Sequence, residues 1–193
     1  MKRQIALAIV LCLAAFAAAT AAGAQAAAES PGQKYFGDIK LLNQDGQETR
    51  LYSDLMQGRT VIINVMFTTC TGACPVMSAT IEKIQTHLGD RVGKDVRLVS
   101  ISVDPVHDTP ARLKEYAGRF HAGPGWTFLT GSKEDVQAAL RKLGQWVDDP
   151  SDHQTLFLIG NDRTGLWKKA FALAPTDQIF PVVDSVVNDK EKG

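Results

Sequence analysis

The feature of this sequence that most constrains its fold is the apolar, largely β-branched run at residues 61–67, VIINVMF. A strand with almost no polar interruption is expected where both faces of a sheet are covered, because half-exposed strands alternate polar and apolar residues. After two threonines come residues 70–75, CTGACP, and then apolar residues at helical spacing as far as Gly89. The pattern predicts a central strand, a turn that carries two cysteines, and a helix.

Further strand patterns flank this central unit on both sides. The other predicted strands are residues 40–42, 49–51, 98–103, 126–129, 155–159 and 166–173. Asp45 and Gly46 give the first two of these strands a hairpin turn, and the last two form a second hairpin around GNDRTG. Asp108 or Thr109 is the predicted cap of one helix, and a capping box opens another helix at Ser132.

The order of these elements is typical of one α/β domain. Strands and helices alternate and an antiparallel hairpin follows, which predicts a mixed sheet with helices on both faces. We assign residues 34–175 to this domain and residues 176–193 to a polar C-terminal tail. The chain has 193 residues, enough to bury a core without disulfides. We therefore expect any cysteine chemistry to be functional.

The first 26 residues have the layout of a secretory signal peptide. Lys2 and Arg3 precede an apolar run at residues 5–19, and small residues follow at two candidate cleavage points, Ala24 and Ala26. An uncleaved membrane anchor is the alternative, although the strongly apolar part falls short of the roughly 20 residues that span a bilayer. We expect a protein exported to the periplasm, whether or not an inner-membrane anchor remains.

The charge balance argues against nucleic acid as a partner. Removing Lys2 and Arg3 from the 21 basic residues leaves 19 basic residues against 21 acidic residues. A nucleic-acid-binding domain instead concentrates an excess of Lys and Arg on one face. We expect a monomer whose partners are other exported proteins.

Cys70 and Cys74 are the two cysteines that remain after the leader is removed. If the helix begins within residues 70–75, the two thiols lie on one helical face with Cβ atoms about 5–6 Å apart. That separation allows two thiolates to bind one metal ion, and it also allows a disulfide. Amides and the dipole at a helix N-terminus favour a thiolate. A purely structural disulfide stays open as an alternative, although it would close only a short loop.

The four histidines differ in where the predicted elements place them. His87 and His121 lie late in, or just beyond, predicted helices and are expected to face solvent. His107 lies in the polar loop after a strand whose end can face the same edge of the sheet as the cysteines, which allows an accessory role. His153 ends the loop DDPSDH just before the strand TLFLI, where its side chain can reach across the strand ends. By position alone, His153 is as compatible with an ordinary loop residue as with a ligand.

The segments FTTCTGACP, SISVDPVHDTPARLKEY, GWTFLTG and DHQTLFLIGNDRTG occur in this order within about residues 35–173. Together they resemble the Sco/SenC family of copper-binding assembly proteins. The resemblance implies a thioredoxin-like fold in which Cys70, Cys74 and His153 bind copper as Cu(I) or Cu(II). It also implies that the protein delivers copper to the dinuclear centre of cytochrome c oxidase, or reduces the cysteines of that centre. Asp152 matches the family's acidic residue before the histidine and would orient the imidazole ring, with an ordinary solvated loop carboxylate as the alternative.

Three functions are compatible with these residues. The first is a metallochaperone that holds copper at Cys70, Cys74 and His153 and passes it to an oxidase subunit or another exported copper protein. The second is a thiol-disulfide oxidoreductase in which the two cysteines are the redox pair. The third is a peroxidase of peroxiredoxin type, which accounts least well for the histidine. We expect the first function, and hence a copper carrier rather than an enzyme.

Overall fold

The computed structural model describes residues 29–190, in which a seven-stranded mixed sheet carries helices on both faces. The strands are β1 (Lys40–Asn43), β2 (Glu48–Arg50), β3 (Thr60–Met66), β4 (Val96–Ser102), β5 (Trp126–Thr130), β6 (Leu156–Asn161) and β7 (Leu166–Phe171). The α-helices are α1 (Pro31–Phe36), α2 (Ala73–Leu88), α3 (Pro110–Arg119), α4 (Lys133–Lys142) and α5 (Thr176–Val187). A π-helical turn, Leu51–Met56, joins β2 to β3.

Strand β3 lies at the centre of the sheet, and all seven of its residues are buried. The strand order is β2-β1-β5-β4-β3-β6-β7. Strands β3, β4 and β5 run parallel, whereas β6 pairs antiparallel with β3, and β1 pairs antiparallel with β5. The carboxyl ends of β3 and β4 and the amino end of β6 therefore meet at one end of the sheet. Residues that follow β3 lie beside residues that precede β6.

Each face of the sheet has its own apolar cluster. On one face, Met66 of β3 belongs to a cluster with Met77 of α2, Leu113 of α3 and Val183 of α5. On the other face, Val65 belongs to a cluster formed with α1, the π-helical turn and α4. Alternate residues of β3 enter opposite clusters, as the two-residue period of a strand requires. This double burial explains why the central strand shows no alternation of polar and apolar residues.

The structure confirms the predicted mixed sheet, with small shifts at the strand ends. The central strand begins at Thr60, and both predicted hairpins are present. Thr109 rather than Asp108 caps α3, since the Thr109 side chain accepts a hydrogen bond from the Arg112 amide. Ser132 caps α4 as the capping box predicts. Local signals therefore located most elements correctly.

The prediction of a polar tail over residues 176–193 is wrong for the twelve residues of α5. One face of α5 is buried against the sheet, and its residues recur at helical spacing. They are Ile179, Val183, Val186 and Val187. Pro181 obscures this pattern in the sequence, because a proline inside a helix removes a backbone hydrogen bond. The domain therefore extends past its predicted end at residue 175.

The predicted leader, residues 1–26, lies outside the residues that the structure describes. Over residues 29–190, no helix combines the length and apolar character needed to cross a membrane. Helix α1, which the sequence patterns do not indicate, begins at Pro31 and is capped by Ser30. The signal peptide stays a prediction.

Candidate metal centre

The two cysteines lie in the connection between β3 and α2. After β3 ends at Met66, a turn carries Cys70, whose amide donates a hydrogen bond to the Phe67 carbonyl (3.2 Å). Helix α2 begins at Ala73, so Cys74 lies in its first turn and is buried, while Cys70 is half-buried. The expectation that both cysteines share one helical face is wrong, because the helix begins between them.

His153 reaches the cysteines from the strand that neighbours β3. It follows the 3-10 turn Pro150–Asp152 and precedes β6, whose antiparallel pairing brings it to the end of β3. Its Nε2 atom lies 3.2 Å from the Cys74 sulfur. The Phe67 ring meets the imidazole edge-on, with ring centroids 5.7 Å apart. The fold thus brings this histidine to the cysteine pair.

These three side chains form one compact donor group. The sulfur atoms of Cys70 and Cys74 and a ring nitrogen of His153 all lie within 4.8 Å of one another. Within residues 29–190, no other set of three His, Cys, Asp or Glu side chains is close enough to hold a metal ion. Two atoms bound to one ion through bonds of about 2.3 Å lie up to about 4.6 Å apart. Small side-chain adjustments would therefore let all three bind one ion.

Cys70 is the more acidic of the two thiols. Partial burial raises its pKa, but hydrogen bonds from the Cys74 thiol and from the backbone amides of Gly72, Ala73 and Cys74 outweigh that effect. The net pKa of Cys70 lies below the ordinary value of a thiol. Amides at the start of a helix stabilise a thiolate in this way. This lowered pKa agrees with the acidic thiol that the sequence predicts.

Burial determines the direction of the pKa shifts of Cys74 and His153, the other two members of the donor group. Desolvation, together with the Cys70 hydrogen bond, raises the pKa of Cys74 to about 12. Desolvation lowers the pKa of His153, although the Gln154 carbonyl acts in the other direction. His153 Nδ1 lies 3.4 Å from that carbonyl, and a ring proton on Nδ1 would leave the lone pair of Nε2 available to a metal ion. A neutral imidazole with an available Nε2 is the form that binds metals.

A buried carboxylate supports the turn that carries Cys70. Asp108 is fully buried and accepts hydrogen bonds from the Thr68 amide (3.0 Å), the Thr68 hydroxyl and the Ser102 hydroxyl (2.6 Å). Thr68 lies two residues before Cys70, and Ser102 is the last residue of β4. The Asp108 carboxylate thus ties the turn after β3 to the end of β4.

The remaining histidines and Asp152 lie outside the donor group. Each of the other three histidines contacts a carboxylate near the protein surface and not the cysteines; they are His87, His107 and His121. Asp152 is exposed, and among the described residues its carboxylate makes no hydrogen bond to the His153 ring. The backbone carbonyl of Gln154 orients the ring in place of Asp152.

Three parts of the site are not apparent from the sequence. Phe67 has the pattern of a strand end, and the carbonyl of Gln154 carries no side-chain signal at all. Asp108 and Thr109 are both candidate caps for α3 in the sequence. Because Thr109 is the actual cap, Asp108 is available for another role, and the sequence does not show which of the two residues caps the helix. These contacts depend on strand register, which local patterns do not specify.

The fold and the donor group define a thioredoxin-like α/β protein with a cysteine pair and a histidine at one end of its central strand. A family model described as SCO1/SenC matches residues 27–179 of the chain. The chain therefore belongs to the SCO1/SenC family, which confirms the resemblance seen in the sequence.

Individual relatives agree with this assignment. The SCO1 protein homolog of Bacillus subtilis is 35% identical over 129 residues. The match covers 62% of this chain and 65% of the relative, so this chain spans just under two thirds of the relative's length. BsSco, described by its disulfide switch and as a member of the Sco family of cytochrome c oxidase assembly proteins, has 31% identity and a TM-score of 0.64. That match covers 78% of this chain and 92% of BsSco. Arabidopsis thaliana ScoI, solved with copper bound, has 26% identity and a TM-score of 0.62 over 77% of this chain and 92% of its own.

We predict that the two thiols of the reduced, metal-free protein react at very different rates. Iodoacetamide labelling at pH 8, followed by mass spectrometry, should modify Cys70 and leave Cys74 almost untouched. A thiol with a pKa of about 12 is ionised in only about one molecule in ten thousand at pH 8. Cys70 should stay reactive at pH values where an ordinary thiol is protonated, because its pKa is depressed.

The variant Cys74→Ala is the control for this labelling experiment. It removes the thiol that donates to the Cys70 sulfur, so the pKa of Cys70 should rise and its labelling should require a higher pH. Equal labelling of both cysteines at pH 8 in the unaltered protein would contradict the difference in acidity.

We predict that Asp108→Asn lowers the free energy of unfolding by about 1–3 kcal/mol. The amide nitrogen of asparagine accepts no hydrogen bond, so a buried donor of Thr68 or Ser102 loses its partner. Urea unfolding followed by circular dichroism measures the change. The matched control is Asp90→Asn at an almost fully exposed position, which should change stability by less than about 0.5 kcal/mol. Similar losses in the two variants would remove the supporting role of Asp108.

Proposed function

We propose that the protein is an exported copper carrier that binds one copper ion through Cys70, Cys74 and His153. The observation that carries the proposal is the donor group, two sulfurs and one imidazole nitrogen within 4.8 Å of one another. Thiolates favour Cu(I), and imidazole binds copper in either oxidation state. The same ligands can therefore hold Cu(I) or Cu(II). The copper-bound structure of Arabidopsis thaliana ScoI supports the choice of metal.

The acidities of the metal-free side chains fit a site that exchanges protons for copper. Cysteine binds metals as the thiolate, so each thiol that binds copper loses its proton. The lowered pKa of Cys70 favours this loss, whereas copper itself must displace the proton of Cys74, whose pKa is about 12. His153 needs no such displacement, because its lowered pKa keeps the ring neutral. Copper affinity therefore falls as the pH decreases and protons compete for the two sulfur atoms.

The burial of the donor group indicates how copper would leave it. Cys74 and His153 are buried, while Cys70 is half-buried and is the donor closest to solvent. Three protein ligands leave a coordination position open. A ligand of an acceptor protein can occupy that position before a sulfur dissociates, so the ion passes between proteins without release into solvent. We expect this exchange to begin on the Cys70 side.

The acceptor in this proposal is a copper centre of cytochrome c oxidase, reached in the periplasm. Support comes from BsSco, a member of the Sco family of cytochrome c oxidase assembly proteins, and from the predicted leader at residues 1–26. Another exported copper protein is the alternative acceptor. Contact with a membrane would then arise only through an uncleaved leader or through the acceptor.

A second candidate function, reduction of a partner disulfide, is favoured by the unequal acidity of the two thiols. The Cys70 thiolate would attack the partner disulfide, forming a mixed disulfide and releasing one partner thiolate, which takes up the Cys74 proton. Cys74 would then attack the Cys70 sulfur and release the second partner sulfur. The partner gains two electrons, and the protein is left with a Cys70–Cys74 disulfide. The disulfide switch of BsSco supports this candidate.

We predict that the reduced protein binds one Cu(I) or one Cu(II) per chain and that His153→Ala loses most of its Cu(II) binding. The imidazole is the one donor of the group that is not sulfur, and it suits the harder Cu(II) ion better than a thiolate does. Titration with each ion, followed by metal analysis, measures the stoichiometry. The visible absorption from sulfur-to-copper charge transfer should weaken strongly in the variant.

The matched control for this titration is His121→Ala, because His121 is exposed and lies outside the donor group. This control should bind both ions as the unaltered protein does. If His153→Ala bound both ions unchanged while the protein rapidly reduced a model disulfide, reduction would replace copper transfer as the proposed function.

A further inference from the structure

A second site is a cavity of about 700 Å³ between α1, the end of α4 and the β6–β7 hairpin. None of Cys70, Cys74 and His153 lines it, and it lies toward the opposite end of β6 from His153. Cavities of roughly 300–1,000 Å³ with apolar walls and a few polar groups are typical of small-molecule sites. The proposed copper chemistry makes no use of this cavity.

The wall of the cavity is aromatic and aliphatic. Phe36 of α1 and Trp167 of β7 have ring centroids 5.3 Å apart, and Tyr35 meets Phe36 edge-on at 4.9 Å. Leu143 and Leu158 complete the apolar surface. Tyr35 is 56% exposed and Trp167 is 37% exposed. A cluster of exposed large aromatic side chains marks surface that a ligand can cover.

Close contacts of two glycines shape this wall. Trp167 lies against the backbone of its cross-strand neighbour Gly160, where a Cβ atom would come within 2.5 Å of the indole ring. Gly32 lets α1 approach the sheet, since a Cβ atom there would lie 2.5 Å from Asp162 Oδ1 and 2.7 Å from the Tyr52 ring. The Tyr52 hydroxyl in turn donates to Asp162 at 3.1 Å. The wall is therefore packed closely against the sheet.

The rim of the cavity is cationic. Lys142, Arg163 and Lys169 line it. The Lys142 ammonium lies over the Tyr35 ring, 5.2 Å from its centroid, and within residues 29–190 neither Lys142 nor Lys169 forms an ion pair. The one acidic residue of the lining, Asp162, is already engaged by the Tyr52 hydroxyl and by a backbone amide at 2.8 Å. The rim thus carries positive charge that the cavity itself does not neutralise.

We propose that this cavity binds one anionic amphiphile, an alkyl carboxylate of about ten carbons, with its chain on the aromatic wall and its carboxylate at the Lys142 and Lys169 rim. The chain covers the exposed apolar surface, and the anion offsets the repulsion among like charges. Hydrogen bonds between ammonium and carboxylate groups are stronger than neutral ones, so they fix the orientation of the head group. A neutral chain leaves Lys142 and Lys169 without an anionic partner, and the site therefore selects for charge. This binding is independent of copper.

Calorimetric titration of the purified protein with decanoate tests the proposal, with decanol as the neutral ligand of equal chain length. We expect one decanoate per chain and binding of decanol that is weaker by about tenfold or more. The double variant Lys142→Gln, Lys169→Gln should weaken decanoate binding about tenfold. Lys133→Gln, at the other end of α4, is the matched control and should leave it unchanged. All these variants should bind copper normally, which separates this test from the copper titration.

A second measurement locates the ligand. In the unaltered protein, decanoate should change the tryptophan fluorescence, and that change should disappear in Trp167→Phe. Equal binding of decanoate and decanol, or binding that the double lysine variant leaves unchanged, would overturn the proposal. Binding to phosphatidylglycerol vesicles, but neither to phosphatidylcholine vesicles nor to decanoate, would also overturn it, since the lysines would then contact a membrane surface instead of a single ligand.

Discussion

The contact between Cys74 and His153 depends on the pairing of β3 with β6. The two residues are 79 positions apart in the chain, yet antiparallel pairing places them at the same end of the sheet. A shift of β6 by one residue would exchange the side chains that enter the two apolar clusters and carry His153 away from the cysteines. The apolar clusters on both faces of β3 oppose such a shift. The donor group is therefore maintained by the sheet core as much as by the cysteine-bearing turn.

Burial and the start of α2 act in opposite directions on the two thiols. Cys70 accepts hydrogen bonds from amides at the helix start, whereas Cys74 is desolvated against the core. One thiol is thus prepared to act as a thiolate, and the other ionises only when a metal ion or a disulfide exchange removes its proton. Both proposed functions use this difference. A carrier needs a firmly held sulfur and an accessible one, and a reductant needs an attacking sulfur and a resolving one.

Local elements could be predicted from the sequence, whereas the contacts between distant elements could not. Apolar period and cap residues such as Ser132 are local signals, and they located the strands and most helices. The start of α2 relative to Cys70 was misjudged because helix ends depend on backbone contacts that propensity does not encode. Pro181 concealed the helical pattern of α5. Asp108 can support the cysteine-bearing turn only because Thr109, and not Asp108, caps α3. His153 stood out only through the family resemblance, since its approach to the cysteines requires the register of β6.

X-ray absorption spectroscopy of the Cu(I)-loaded protein tests the central claim most directly, because it identifies the atoms bound to copper. The predicted result is two sulfur ligands and one nitrogen ligand per copper ion, with the nitrogen ligand lost in His153→Ala. A site with sulfur ligands alone in the unaltered protein, or a nitrogen ligand that persists in His153→Ala in a non-coordinating buffer, would contradict a copper centre built from Cys70, Cys74 and His153.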